Sequence, residues 1–232
     1  MFLFFSWIIP YLLNYSLIYL CIIRLFFISN IITVGRMIDE NKLAQIISGL
    51  LSPVSIALLV SIIFSIKSLN NESYNLFVGL SLSIFFLVLF PLIFILYFYK
   101  KGVIDLWVSD RKKRTPLYII SIIGYIISSM IFFILDYNIL FTISFAYLCV
   151  TTVVMIINLY TKISSHSAGV AGPLAAIFYV FGIVSIPLFV LVPIVYWARR
   201  KLNAHTPFQL IMGVIIAIIV TFFVYYSSNI LQ

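Results

Sequence analysis

The chain has 232 residues, of which 64% are apolar and 9% charged, with a net charge of +8 and a mean hydropathy of +1.24. A soluble surface needs roughly 25–35% charged residues, so a water-soluble domain is excluded. The apolar runs are about 20 residues long without alternation, which excludes a β-barrel and leaves an all-α, polytopic helical membrane protein.

The first run, about Phe2 to Ile28, carries one charge, Arg24, and no basic leader or small-residue cleavage site, so it reads as an uncleaved span. Residues 29–45 form a polar connection. The second run is about Ile46 to Ile66, and a polar turn follows to Asn75. The third, about Leu76 to Tyr99, contains Pro91, which is expected to bend it. A polar loop from Lys100 to Thr115 leads to Pro116, suited to the first turn of a helix. The fourth run covers about Leu117 to Leu135, the Asp136–Asn138 turn follows, and the fifth covers about Ile139 to Tyr160. Two short runs, about Ala168 to Phe181 and Ile183 to Ala198, part near Gly182, and the last runs from about Pro207 to Tyr226. The expectation is seven or eight spans. The organisation is an N-terminal extra span and connection over 1–45, then one helical domain over 46–232. Cys21 and Cys149 lie inside apolar runs and read as small buried hydrophobes.

Three polar islands interrupt this pattern: Ser109–Pro116, Asn158–Gly172 and Ala198–Gln209. Two spans separate each island from the next, and an even number of crossings returns the chain to one side. All but Arg24 and Lys67 of the 14 Lys and Arg fall on that face. The positive-inside rule alone would make it cytoplasmic. Clustered cations at span ends also suit anionic headgroups or phosphates better than nucleic acid.

Each island carries chemistry beside a bland reading. Asp110-Arg-Lys-Lys-Arg114 is a topogenic loop or an anion clamp, since Arg offers a planar fork to phosphoryl oxygens. In the second island, Ser164 or Ser165 can cap the helix that begins near His166, and the N–H groups and dipole of such an end attract phosphate. Lys162 adds charge, and His166 is either an interfacial polar residue or a proton donor. In the third, Thr206-Pro207-Phe208-Gln209 has the form of a capping box, with His205 just before it. A helix N-terminus disfavours protonated His205, and a neutral imidazole can act as a nucleophile. No His, Cys and carboxylate cluster has metal-ligand spacing, so neither metal nor cofactor is expected.

The pattern resembles the type-2 phosphatidic acid phosphatase superfamily, whose motifs are K-x6-R-P, P-S-G-H and S-R-x5-H-x3-D. Arg199 and His205 reproduce R-x5-H, with Ala198 in place of Ser. Ser164-Ser165-His166 matches the second motif in part, and Arg114-Thr115-Pro116 matches the first weakly, with one residue inserted. The likeness is greatest to a divergent bacterial and archaeal branch with D-R-x-x-R, K-I-S-x-H and A-R-x5-H-T-P-x-Q signatures, and covers roughly Ile46 onward. It implies a metal-independent phosphatase of the prokaryotic plasma membrane, acting on a lipid phosphate or diphosphate, with polyprenyl chains among the candidates. By position, His205 would be the nucleophile that becomes phosphohistidine, and His166 would protonate the leaving alkoxide. Arg199 and Arg111 or Arg114, with Lys162 and Ser165, would hold the phosphoryl group. The family's orienting Asp is Gln209 here, which can accept an imidazole N–H but brings no negative charge. A lipid-phosphate binder or transporter without catalysis is the alternative, and a headgroup phosphotransferase the third.

Overall fold

The computed structural model describes residues 39–70, 74–105 and 108–231, so the first apolar run lies outside the described residues. Every regular element among the described residues is helical: α1 (Glu40–Leu50), α2 (Pro53–Lys67), α3 (Leu76–Ser83), α4 (Phe90–Lys100), α5 (Arg114–Ile134), α6 (Asn138–Tyr160), α7 (Ser165–Phe181), α8 (Leu191–Lys201) and α9 (Pro207–Leu231). Short 3-10 segments (Ser68–Asn70 and Gly182–Val190) and a π-helical stretch (Ile84–Leu89) complete them. The helices from Ala44 onward form one compact unit.

Five helical stretches are long and apolar enough to cross a membrane, and a sixth arises if the pair α1 and α2, bent by 41°, is one broken span. That is fewer than the seven or eight expected, for two reasons. The first run lies outside the described residues. The two short runs around Gly182 belong to one continuous helical stretch, Ser165–Lys201. This stretch nevertheless doubles back, because His166 at its start and Arg199 near its end line one cavity. Gly182 makes the reversal, with φ 69° and ψ −148°. This is a region open essentially to glycine alone. A Cβ there would meet nothing, so it is the backbone conformation and not space that calls for glycine.

Local chemistry explains the other breaks. Ser52 caps α2 by accepting the Ser55 N–H at 3.2 Å, and Pro53 takes the first helical position, where its missing N–H costs nothing. Pro91 does not break the third run. The preceding π-helical stretch absorbs it, with the Phe90 N–H reaching back five residues to the Phe85 carbonyl.

The core is built by the apolar faces of α2, α5, α6 and α7, where Phe64, Phe132, Leu140, Ile143 and Val170 are fully or almost fully buried. The outward residues are also apolar: Phe77, Phe133, Val184 and Phe223 are exposed, as suits contact with lipid. Helices α7 and α9 approach closely through small residues. Gly172 packs on Ala217 and Thr221, and a Cβ at Gly213 would come within 2.8 Å of the Ser164 carbonyl oxygen.

Candidate functional site

The three polar islands meet at one end of this bundle. Arg114 opens α5 and is buried. Its Nε donates to the Val108 carbonyl at 2.7 Å, and a terminal nitrogen donates to the Ile163 carbonyl at 3.1 Å, tying the first island to the second. The Ser164 N–H in turn donates to the Gln209 carbonyl at 3.3 Å, tying the second to the third. Of the two candidate serines, Ser164 caps α7, accepting from the Ser167 N–H at 3.2 Å. That places Ser165 and His166 in the first turn.

The return from α8 to α9 is equally determined. Asn203 adopts φ 49°, the left-handed region that asparagine tolerates, and the Ala204 N–H closes back on the Arg199 carbonyl at 3.1 Å. His205 is thereby turned inward, with 5% of its surface exposed. The capping box forms: the Gln209 N–H reaches Thr206 Oγ1 at 3.4 Å, and Gln209 Oε1 accepts the Thr206 N–H at 3.2 Å. The same Oε1 lies 3.1 Å from His205 Nδ1. A backbone N–H can only donate, so the amide atom it meets is oxygen, and His205 Nδ1 must then be the donor. The neutral tautomer that results leaves the lone pair on Nε2.

A cavity of about 500 Å³ collects these side chains. Arg114, Tyr118, Ser165, His166, Arg199 and His205 line it, and apolar residues such as Leu92, Ile95, Leu96, Val150 and Val154 line most of the rest. Burial is the main cause that pushes the His205 pKa down to about 3, and the Arg114 guanidinium adds to it; the hydrogen bond to Gln209 acts in the opposite sense. Lys162 stands beside the cluster without lining the cavity. Its pKa is lowered by burial first, then by Arg114 and Arg199.

Two of the expected residues have other contacts. Arg111 does not line the cavity. One of its terminal nitrogens donates to the Asn158 and Leu159 carbonyls at 2.7 and 2.6 Å, so it caps the C-terminus of α6, where a helix leaves carbonyls unsatisfied. Gln209 stands behind His205 and reaches the cavity only through it. Conversely, nothing in the residue pattern pointed to Tyr118, whose hydroxyl is 2.6 Å from Ser165 Oγ. Nor did it point to Ser48, whose hydroxyl accepts from Arg199 at 2.7 Å. Among the described residues no three His, Cys, Asp or Glu side chains cluster as metal ligands would. No protein-family model matches the chain, and no curated protein or solved structure shows significant similarity to it.

Proposed function

We propose that the protein is an integral-membrane phosphatase that cleaves a lipid phosphate or diphosphate, without a metal, through a phosphohistidine. The observation that carries this reading is the cavity itself. Two histidines and two arginines line it together, and most of the remaining wall is apolar. A phosphoryl group suits the first part and a hydrocarbon chain the second.

The roles proposed are those the resemblance implies, and the hydrogen bonds around the histidines support them. His205, with Nδ1–H held by Gln209, presents the Nε2 lone pair to phosphorus. As the N–P bond forms, the bond from phosphorus to the lipid oxygen breaks, and His166, charged once the phosphoryl anion is bound, gives its proton to that oxygen. Arg114 and Arg199 hold the phosphoryl oxygens as charge redistributes, the electrostatic part of catalysis. Water then attacks phosphorus and gives its proton to His166. The N–P bond breaks, inorganic phosphate leaves, and both imidazoles return to their starting states. A chain anchored in the apolar part fixes the reacting group, which turns binding into orientation.

Gln209 favours a second reading, a lipid-phosphate binder on the same scaffold, because an amide stabilises imidazolium less than a carboxylate does. One experiment separates the two. Detergent-solubilised protein is given a panel of lipid phosphates and diphosphates, and free phosphate is followed. Release by wild type and none by His205→Ala supports the phosphatase; binding without release supports the second reading.

A further inference from the structure

Ser48 sits in α1, in the stretch Ile46-Ile47-Ser48-Gly49-Leu50, and reads as a small packing residue in an apolar run. It is fully buried. Both of its acceptors nevertheless face the site. The hydroxyl oxygen accepts from an Arg199 terminal nitrogen at 2.7 Å, and the backbone hydrogen-bonds the His166 imidazole.

The break between α1 and α2 explains why that backbone group is available. In an unbroken helix the Ser48 carbonyl would accept the Ser52 N–H. Here the Ser52 N–H goes to the Gly49 carbonyl at 3.1 Å, and the Leu51 N–H goes to the Ile47 carbonyl at 2.8 Å. The Ser48 carbonyl is skipped, one of the acceptors that a helix end leaves over. Pro53, which cannot donate, fixes the place of the break.

We infer that Ser48 is a positioning residue for the proposed phosphoryl site: its hydroxyl holds the Arg199 guanidinium and its carbonyl holds the His166 imidazole, so that one residue of α1 sets the two against each other. With one imidazole N–H given to the carbonyl, the other ring nitrogen exchanges the proton. With one terminal nitrogen held by the hydroxyl, the guanidinium plane is fixed and its other donors serve the phosphoryl oxygens. The 41° bend between α1 and α2 is then part of the site, since a straight helix would withdraw the carbonyl.

This inference rests on the phosphatase reading, and the test separates the two. Full-length wild type, Ser48→Ala, Ser48→Thr and Ser48→Cys are purified in detergent. Three quantities are read: phosphate release from a lipid phosphate, the Kd for inorganic phosphate and the melting temperature. Ser48→Ala is expected to melt as wild type does, to lose about tenfold in kcat/KM and to bind inorganic phosphate about tenfold more weakly. Ser48→Thr, which keeps the hydroxyl, should restore both. Should the Ala variant melt lower, Ser48→Cys keeps the volume but accepts poorly: a folded, impaired Cys variant supports the assignment, and a folded, fully active one overturns it. Wild-type turnover and affinity in Ser48→Ala would also overturn it while leaving the phosphatase intact. Ser48-dependent phosphate binding without any release would remove the phosphatase and keep Ser48. A wild type that neither binds nor releases phosphate sinks both.

Discussion

The two ends of the bundle are held together by different chemistry. At the site end, side chains of Arg111, Arg114 and Arg200 donate to backbone carbonyls at 2.6–3.1 Å. At the other end the contacts are aromatic. Tyr74 packs on Tyr137 with ring centroids 4.7 Å apart, the Tyr137 hydroxyl accepts the Asn75 N–H, and Lys67 lies 5.8 Å from the centre of the Phe181 ring. Both ends satisfy the polar groups of helix termini and turns. Only the first does so with fixed cations, and one of them, Arg114, also lines the cavity beside Arg199. Stability at the far end is therefore separable from chemistry at the near end, and each expected outcome below tests that separation.

The largest effect is expected at His205. His205→Ala should lower phosphate release by roughly 10⁴-fold or more, as removal of a nucleophile does, while detergent melts stay near wild type. Retained release would remove the nucleophile from the scheme.

The same ring sets the pH behaviour. Its folded pKa, about 3, lies below the ordinary value of about 6.5 for histidine. A depressed folded pKa gives stability that is fully present above pH 6.5 and is lost as pH falls toward 3. Wild type should therefore lose more melting temperature than His205→Ala between pH 7 and pH 4. Saturating phosphate should shrink the difference, because an anion offsets the repulsion from Arg114. Parallel curves for the two proteins would show that His205 titrates as an ordinary surface imidazole.

Gln209 gives a smaller effect with a sharper reading. One oxygen serves both the capping box and His205, so Gln209→Glu keeps both contacts and adds a charge beside the imidazole. About a tenfold gain in turnover is expected, equivalent to about 1.4 kcal/mol. Gln209→Asp is shorter and gives up the contact to the Thr206 N–H. A comparable gain with a melt lowered by about 1 kcal/mol would separate relay from cap. Unchanged or lower turnover in a well-folded Glu variant would mean that the carboxamide itself is required.

The smallest effect on chemistry is expected from the far end. Gly182→Ala meets no neighbouring atom but forces alanine into φ 69°, at a cost of about 1–3 kcal/mol. The melt should fall and turnover at low temperature should not. A parallel loss of turnover would show that the two ends are coupled.

What could be read in the sequence was local. The capping box of Thr206 and Gln209, a serine cap before His166, Pro116 in a first helical turn and the apolar runs all depend on neighbours within a few residues. What could not be read was set by contacts across the bundle. Arg111 has the composition of an anion ligand, but the end of α6 takes its donors, and that end lies 47 residues away in sequence. Ser48 is 151 residues from Arg199, inside a run whose only message is hydrophobicity. Tyr118 is one aromatic among many until Ser165 is brought against it, 47 residues further on. The π-helical stretch before Pro91 was not legible for another reason: six residues of π-helix accommodate a proline, and no residue pattern announces them.

The hairpin from Ser165 to Lys201 has a consequence for how the protein sits among lipids. Its outward limb, α7, has 17 residues and at 1.5 Å per residue is about 26 Å long, close to but shorter than a hydrocarbon layer of about 30 Å. His166 stands at the foot of that limb and Arg199 at the foot of the returning one. A bilayer that is too thick or too thin for the limbs loads them along their length, and tilt is the usual relief. Tilting one limb against the other slides His166 past Arg199. The registration of these two side chains thus belongs to the protein and its membrane jointly, and lipid thickness becomes one of the variables that set it.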